Sequence, residues 1–154
     1  MTAEKSSFLF ALIGLGSLCG AVASGVFARL IGTSASLLAN YLLGASAVAI
    51  VLLTDDLSWI SLSAFILGFF LLACVALSSQ RTGEVVGTPR HAHHWGLLTL
   101  GFALGVAIGS YGLSGLVDFG WPYYSTFAIA GGALTISVLL SLGLIALANE
   151  PERI

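Results

Sequence analysis

Five apolar runs, each long enough to cross a hydrocarbon layer, constrain this chain more than any other feature. They read Phe8 to Ile31, Ala35 to Leu53, Trp59 to Ser78, Trp95 to Val117 and Trp121 to Ala148. A helix needs about 20 apolar residues to span a bilayer, and the five runs meet that length or come close to it. The only charge inside them is Arg29, in the last turn of the first. Of the 154 residues 58% are hydrophobic and 8% charged, with a mean hydropathy of +1.05. A water-soluble domain carries about 25% charged residues, so the polar surface is too small to coat a globule. The expected fold class is all-α: a polytopic membrane bundle of about five helices forming a single transmembrane domain over residues 1–154. Barrel strands of about ten alternating residues do not fit runs that are continuous.

Composition also removes function classes. A net charge of −2 speaks against nucleic acid, whose binding needs clustered Lys and Arg. Cys19 and Cys74 both lie inside apolar runs, where no structural disulfide is expected. The N-terminal MTAEKSS lacks a net positive charge, and no small-residue cleavage pattern follows the first run, so a secretory signal is not expected.

Between the third and fourth runs lies the one long polar interruption, Ser79 to His94, read as a cytoplasmic loop. It holds Arg81, Arg90 and all three histidines. Five spans place Arg29, Arg81, Arg90 and Arg153 on one side, and Asp55, Asp56 and Asp118 on the other with Glu4 and Lys5. The rule that basic residues stay inside makes the arginine side cytoplasmic, the N-terminus outside and the C-terminus inside. A bacterial inner membrane is the expected location. Trp59 and the Trp121–Pro122–Tyr123–Tyr124 cluster suit interfacial anchors, and the last run closes at Asn149–Glu150–Pro151.

Inside the runs the informative residues are small or hydroxylated. Gly101, Gly105, Gly109 and Gly112 form one stripe on the fourth helix, and Gly16, Gly20 and Ser24 form another on the first. Such stripes let helix backbones approach closely; a sliding surface for gating is the functional alternative. No Asp, Glu, Lys or His lies mid-span, so the chain supplies no proton relay of its own. Most hydroxyls are expected to bond the carbonyl one turn back. Ser110 and Ser114, one turn apart with Tyr111 close by, make the best polar patch for a solute, and Asn40 is expected to bond another helix.

Two motifs invite enzymatic readings. Gly112–Leu113–Ser114–Gly115 matches the serine context of rhomboid proteases, but that chemistry needs a histidine beside the serine. His94 and Ser114 are separated by about 30 Å of helix at 1.5 Å per residue. His91, His93 and His94 lack an adjacent acidic or thiol partner, so neither a metal site nor a cofactor is expected. The chain does not read as an enzyme.

The run from Gly20 to Gly32, G-A-V-A-S-G-V-F-A-R-L-I-G, with a helix following at once, resembles the turn between helices 8 and 9 of the major facilitator superfamily. The stretch from Pro89 through Trp121–Pro122–Tyr123–Tyr124 to Leu140 resembles that superfamily's tenth loop and last two helices. The likeness is closest to the YbfB/YjiJ-like branch. It implies a secondary transporter moving a small solute by alternating access, with this chain as helices 8 to 12 of twelve. Gly25 and Gly32 fit the ends of the cytoplasmic motif G-x-x-x-D-R-x-G, while Arg29 stands at its acidic position; the three mark a turn that could gate. The resemblance further implies that the first, third and fourth helices face the solute cavity, making Ser17, Ser110, Tyr111 and Ser114 candidate solute contacts. Five helices do not complete a six-helix half. The expected partners are therefore the lipid bilayer, the solute, and either further N-terminal helices, another chain or a second copy. A non-transporting membrane subunit that packs against other helices is the alternative.

Overall fold

The computed structural model describes residues 3–148. It contains five helices: α1 (Ala3–Ile31), α2 (Thr33–Leu53), α3 (Leu57–Val86), α4 (Thr88–Asp118) and α5 (Tyr123–Ala148). Each is long and apolar enough to cross a membrane. Among the described residues there is no strand. The closing Asn149–Glu150–Pro151 and Arg153 lie outside the described residues.

The helices break where the backbone must turn sharply. Gly32 (φ 84°, ψ 155°) alone separates α1 from α2. Gly87 (φ 75°, ψ 161°) alone separates α3 from α4. Only glycine occupies this region without strain. The opposite turn, between α2 and α3, is set by Asp56, whose carboxylate accepts a hydrogen bond from the Ser58 N–H at 2.8 Å. That is an N-cap of the usual kind.

Here the structure corrects one expectation. The polar segment Ser79–His94 is not a loop: α3 continues through Ser79 to Val86 and α4 begins at Thr88. Polarity marks where a helix leaves hydrocarbon, and the helix itself stops only at Gly87. His91 is correspondingly fixed, with Nε2 lying 3.0 Å from the Ser79 carbonyl and 3.3 Å from its hydroxyl.

The packed interior consists of small residues. Gly16, Gly20, Ser24 and Ala28, four apart along α1, are buried, as are Ser63, Ala64, Gly68, Ala73 and Leu77 of α3. A Cβ on Gly16 or Gly20 would collide with the backbone of Phe65 or Phe69, and one on Gly68 with Ile13. The α1 stripe is thus a seam against α3, and Gly68 is its counterpart on the other side. Large side chains point outward instead: Leu18, Phe10 and Leu30 are exposed, as expected where lipid replaces water.

Hydroxyls and one amide tie these seams together. Ser17 donates to the Gly68 carbonyl at 3.1 Å, Ser63 to the Ala47 carbonyl at 2.7 Å, and the Asn40 amide to the Phe70 carbonyl at 3.1 Å. The expectation that Asn40 bonds another helix is met. α3 is the hub, packed along α1 and α2 and touching α4, whereas α5 leans on α2. α4 contributes no buried residue at all.

Candidate functional site

Three polar groupings stand out, and they lie in different places. The first is at the end of the bundle where α1 turns into α2. The Thr33 hydroxyl donates to the Glu84 carboxylate of α3. Glu84 also accepts from Arg81 at 3.2 Å and from Gln80 at 3.4 Å. Glu84 lies beyond the apolar run that ends at Ser78. The Thr33 hydrogen bond, helped by Arg81 and Gln80, holds its carboxyl below the usual carboxylate range. This bond fixes the α1–α2 turn beside the end of α3, so Arg29 and Arg81 belong to the same end, as the charge pattern requires. Gly25, Arg29 and Gly32 divide the work at this turn. Arg29 Nε donates to the Gly25 carbonyl one turn back at 3.2 Å, and Gly32 supplies the reversal. The carboxylate bonded at this turn is Glu84 of α3, reached through Thr33.

The second grouping is on α4. Ser110, Tyr111 and Ser114 are all exposed, and none makes a side-chain hydrogen bond among the described residues. By contrast Thr99, Thr135 and Ser137 donate to carbonyls one turn back at 2.8, 2.9 and 3.0 Å. At 3.6 residues per turn, Ser110 and Ser114 stand on the side of α4 roughly opposite Gly101, Gly105, Gly109 and Gly112. Nothing lies within 4 Å of a Cβ built on any of those four glycines. One helix therefore carries a smooth stripe on one side and open hydroxyls on the other, with neither covered by this chain. Ser17 is not brought to this patch: α1 and α4 do not pack together, and its hydroxyl hydrogen is engaged within the α1–α3 seam. Ser114 and His94 lie on the same continuous helix, which keeps them about 30 Å apart and leaves the serine without a base. His94 Nδ1 is 3.0 Å from the Arg90 carbonyl.

The third is a cleft of about 400 Å³ between α1 and α2, floored by α3. Ser24, Ser36 and Asn40 are its polar lining, with Phe27, Phe69 and Leu77 among the apolar. Ser36 was not singled out from the sequence, although its place one turn before Asn40 in an apolar run is a readable signal. Glu84 was obscured by the basic and histidine residues around it.

The fold and the open α4 face suit a carrier, and the sequence comparison decides the family. The family model described as uncharacterised MFS-type transporter YbfB matches residues 2–142. The chain belongs to the YbfB-like branch of the major facilitator superfamily. No curated protein and no solved structure matches it. A YbfB-like chain is an integral membrane protein of a transporter family, which accords with five membrane-spanning helices.

Proposed function

We propose that this chain supplies helices 8 to 12 of a secondary transporter that moves a small solute by alternating access. The observation that carries this reading is α4. A 31-residue helix with no buried residue and an uncovered glycine stripe is shaped for neighbours beyond the five helices described. In this fold, solute sites lie near the midplane where repeats meet. Helices covering Gly101, Gly105, Gly109 and Gly112 would leave Ser110, Tyr111 and Ser114 facing the solute path. Their hydroxyls, unspent on the backbone, offer hydrogen bonds without charge. The arginine-bearing end, with Gly25, Arg29, Gly32 and the Thr33–Glu84 bond, is the cytoplasmic gate region in a bacterial inner membrane.

Solute flux into proteoliposomes, screened over labelled small solutes with the chain alone and with its neighbouring helices, tests the proposal. Flux that Ser110→Ala and Tyr111→Phe abolish supports it. A stable hetero-complex without flux would instead mark a non-transporting subunit.

A further inference from the structure

We propose that the cleft between α1 and α2 is a binding site for an uncharged, largely apolar molecule carrying one hydroxyl or amide N–H. The cleft exists because α1 and α2 each pack closely along α3 but touch one another little. Their single-residue turn at Gly32 brings them together at one end only. The resulting space of about 400 Å³ lies within the range of small-molecule sites.

Its polar lining is incomplete in a specific way. Ser24 satisfies its hydroxyl on the Ala21 carbonyl at 2.9 Å. Asn40 spends its amide N–H on Phe70 at 3.1 Å. The Asn40 carbonyl oxygen Oδ1 and the Ser36 hydroxyl are buried without any partner, on side chains whose residues are 5% and 4% exposed. Residues four apart on a helix share a face, so Ser36 and Asn40 line the same side of the cleft, their unpartnered oxygens set back in its wall. Buried polar groups are normally hydrogen-bonded, and a carbonyl oxygen can only accept. The missing partner is therefore a donor. No charged residue lines the cleft, which excludes an ionised ligand because its charge would be buried unpaired. Phe27, Ile31 and Leu43 are exposed and frame the apolar remainder, which takes a hydrocarbon portion. The site is separate from the α4 hydroxyl face and stands independently of the solute path proposed there.

A diazirine-bearing eight-carbon alcohol, applied to the full chain in phosphatidylcholine nanodiscs, is a suitable probe. Labelling is expected within residues 24–43 and 69–77. Excess 1-octanol should displace it while octane, which lacks the donor, does not. Ser36→Ala should weaken labelling roughly fivefold, the size of one hydrogen bond. Asn40→Leu should weaken it at least as much, but also loses the Phe70 contact. Ala39→Trp therefore provides the second arm, since Ala39 lines the cleft from an exposed position and its replacement fills the space without entering the core. It should abolish labelling with an unchanged melting temperature. Equal competition by octane, labelling spread over α4 and α5, or persistence of the label in Ala39→Trp would overturn the proposal. So would a cleft that takes up a bridging water only and no alcohol.

Discussion

Gly16 of α1 faces Phe65 of α3 so closely that a Cβ in place of the glycine hydrogen would run into the Phe65 carbonyl. Gly105 of α4 has the same residue type, the same apolar surroundings and the same four-residue spacing to its neighbours, yet meets nothing. The two stripes look alike in sequence and differ in whether one of the five helices stands opposite.

This contrast gives a direct prediction. Gly16→Val and Gly20→Val force backbones apart, and overpacking of this kind costs about 1–3 kcal/mol or more. Gly105→Val should leave the melting temperature of the isolated chain unchanged. On the carrier reading proposed above, Gly105→Val should instead reduce assembly with the helices that cover the α4 stripe. Thermal unfolding in detergent and co-purification of a tagged chain read the two effects separately.

Ser17→Ala removes the bond to the Gly68 carbonyl at 3.1 Å. Interhelical hydrogen bonds in membranes are worth about 0.6 kcal/mol on average, so the loss should be of that size. Ser63→Ala should cost more, because Ser63 is fully buried and its bond to Ala47 is shorter, at 2.7 Å. Denaturation of the two variants in one detergent orders them.

The Thr33–Glu84 bond makes one end of the bundle sensitive to acid. The carboxyl of Glu84 sits below its ordinary value when folded, so the folded state holds its proton more weakly than the unfolded one. Its contribution is present above the ordinary carboxylate value, about 4.3, and is lost as pH falls through the folded value. Glu84 is exposed, so the effect is small and screened by salt. The melting-temperature gap between the wild type and Glu84→Gln should be constant near neutrality and close in acid. Thr33→Val should reduce the same pH dependence, leaving the smaller part that Arg81 and Gln80 supply.

Much of this fold was legible in the sequence because hydrocarbon imposes simple rules. The five apolar runs located the five helices, and the arginines at 29 and 81 placed two helix ends together before the Thr33–Glu84 bond showed it. Helix ends were less legible. Ser79 to His94 is polar, and polarity reports solvent rather than backbone conformation, so the break at Gly87 was hidden within it. The sequence also could not tell a filled glycine stripe from an open one, because Gly20 and Gly105 differ only in what stands opposite. Nor could it show that Ser17 lies in a seam, since its partner is a backbone carbonyl 51 positions away.

Topology gives a further prediction. In a chain with Cys19→Ser and Cys74→Ala, a single cysteine replacing Val85, which is 67% exposed, should resist an impermeant maleimide applied outside intact cells. It should react once the membrane is opened. Reaction from outside would reverse the proposed orientation.

The central claim is that α4 is a two-sided helix, covered by neighbours on its glycine stripe and facing a water-filled solute path with its hydroxyls. Single cysteines placed along α4 in native membranes, probed with a water-soluble thiol reagent, test it most directly, because only thiols in contact with water ionise and react. The account predicts reaction at positions 110, 111 and 114, with positions 101, 105, 109 and 112 protected. Uniform protection all round α4, matched by uniform access to a lipid-dissolved probe, would show a helix bathed in lipid and contradict it.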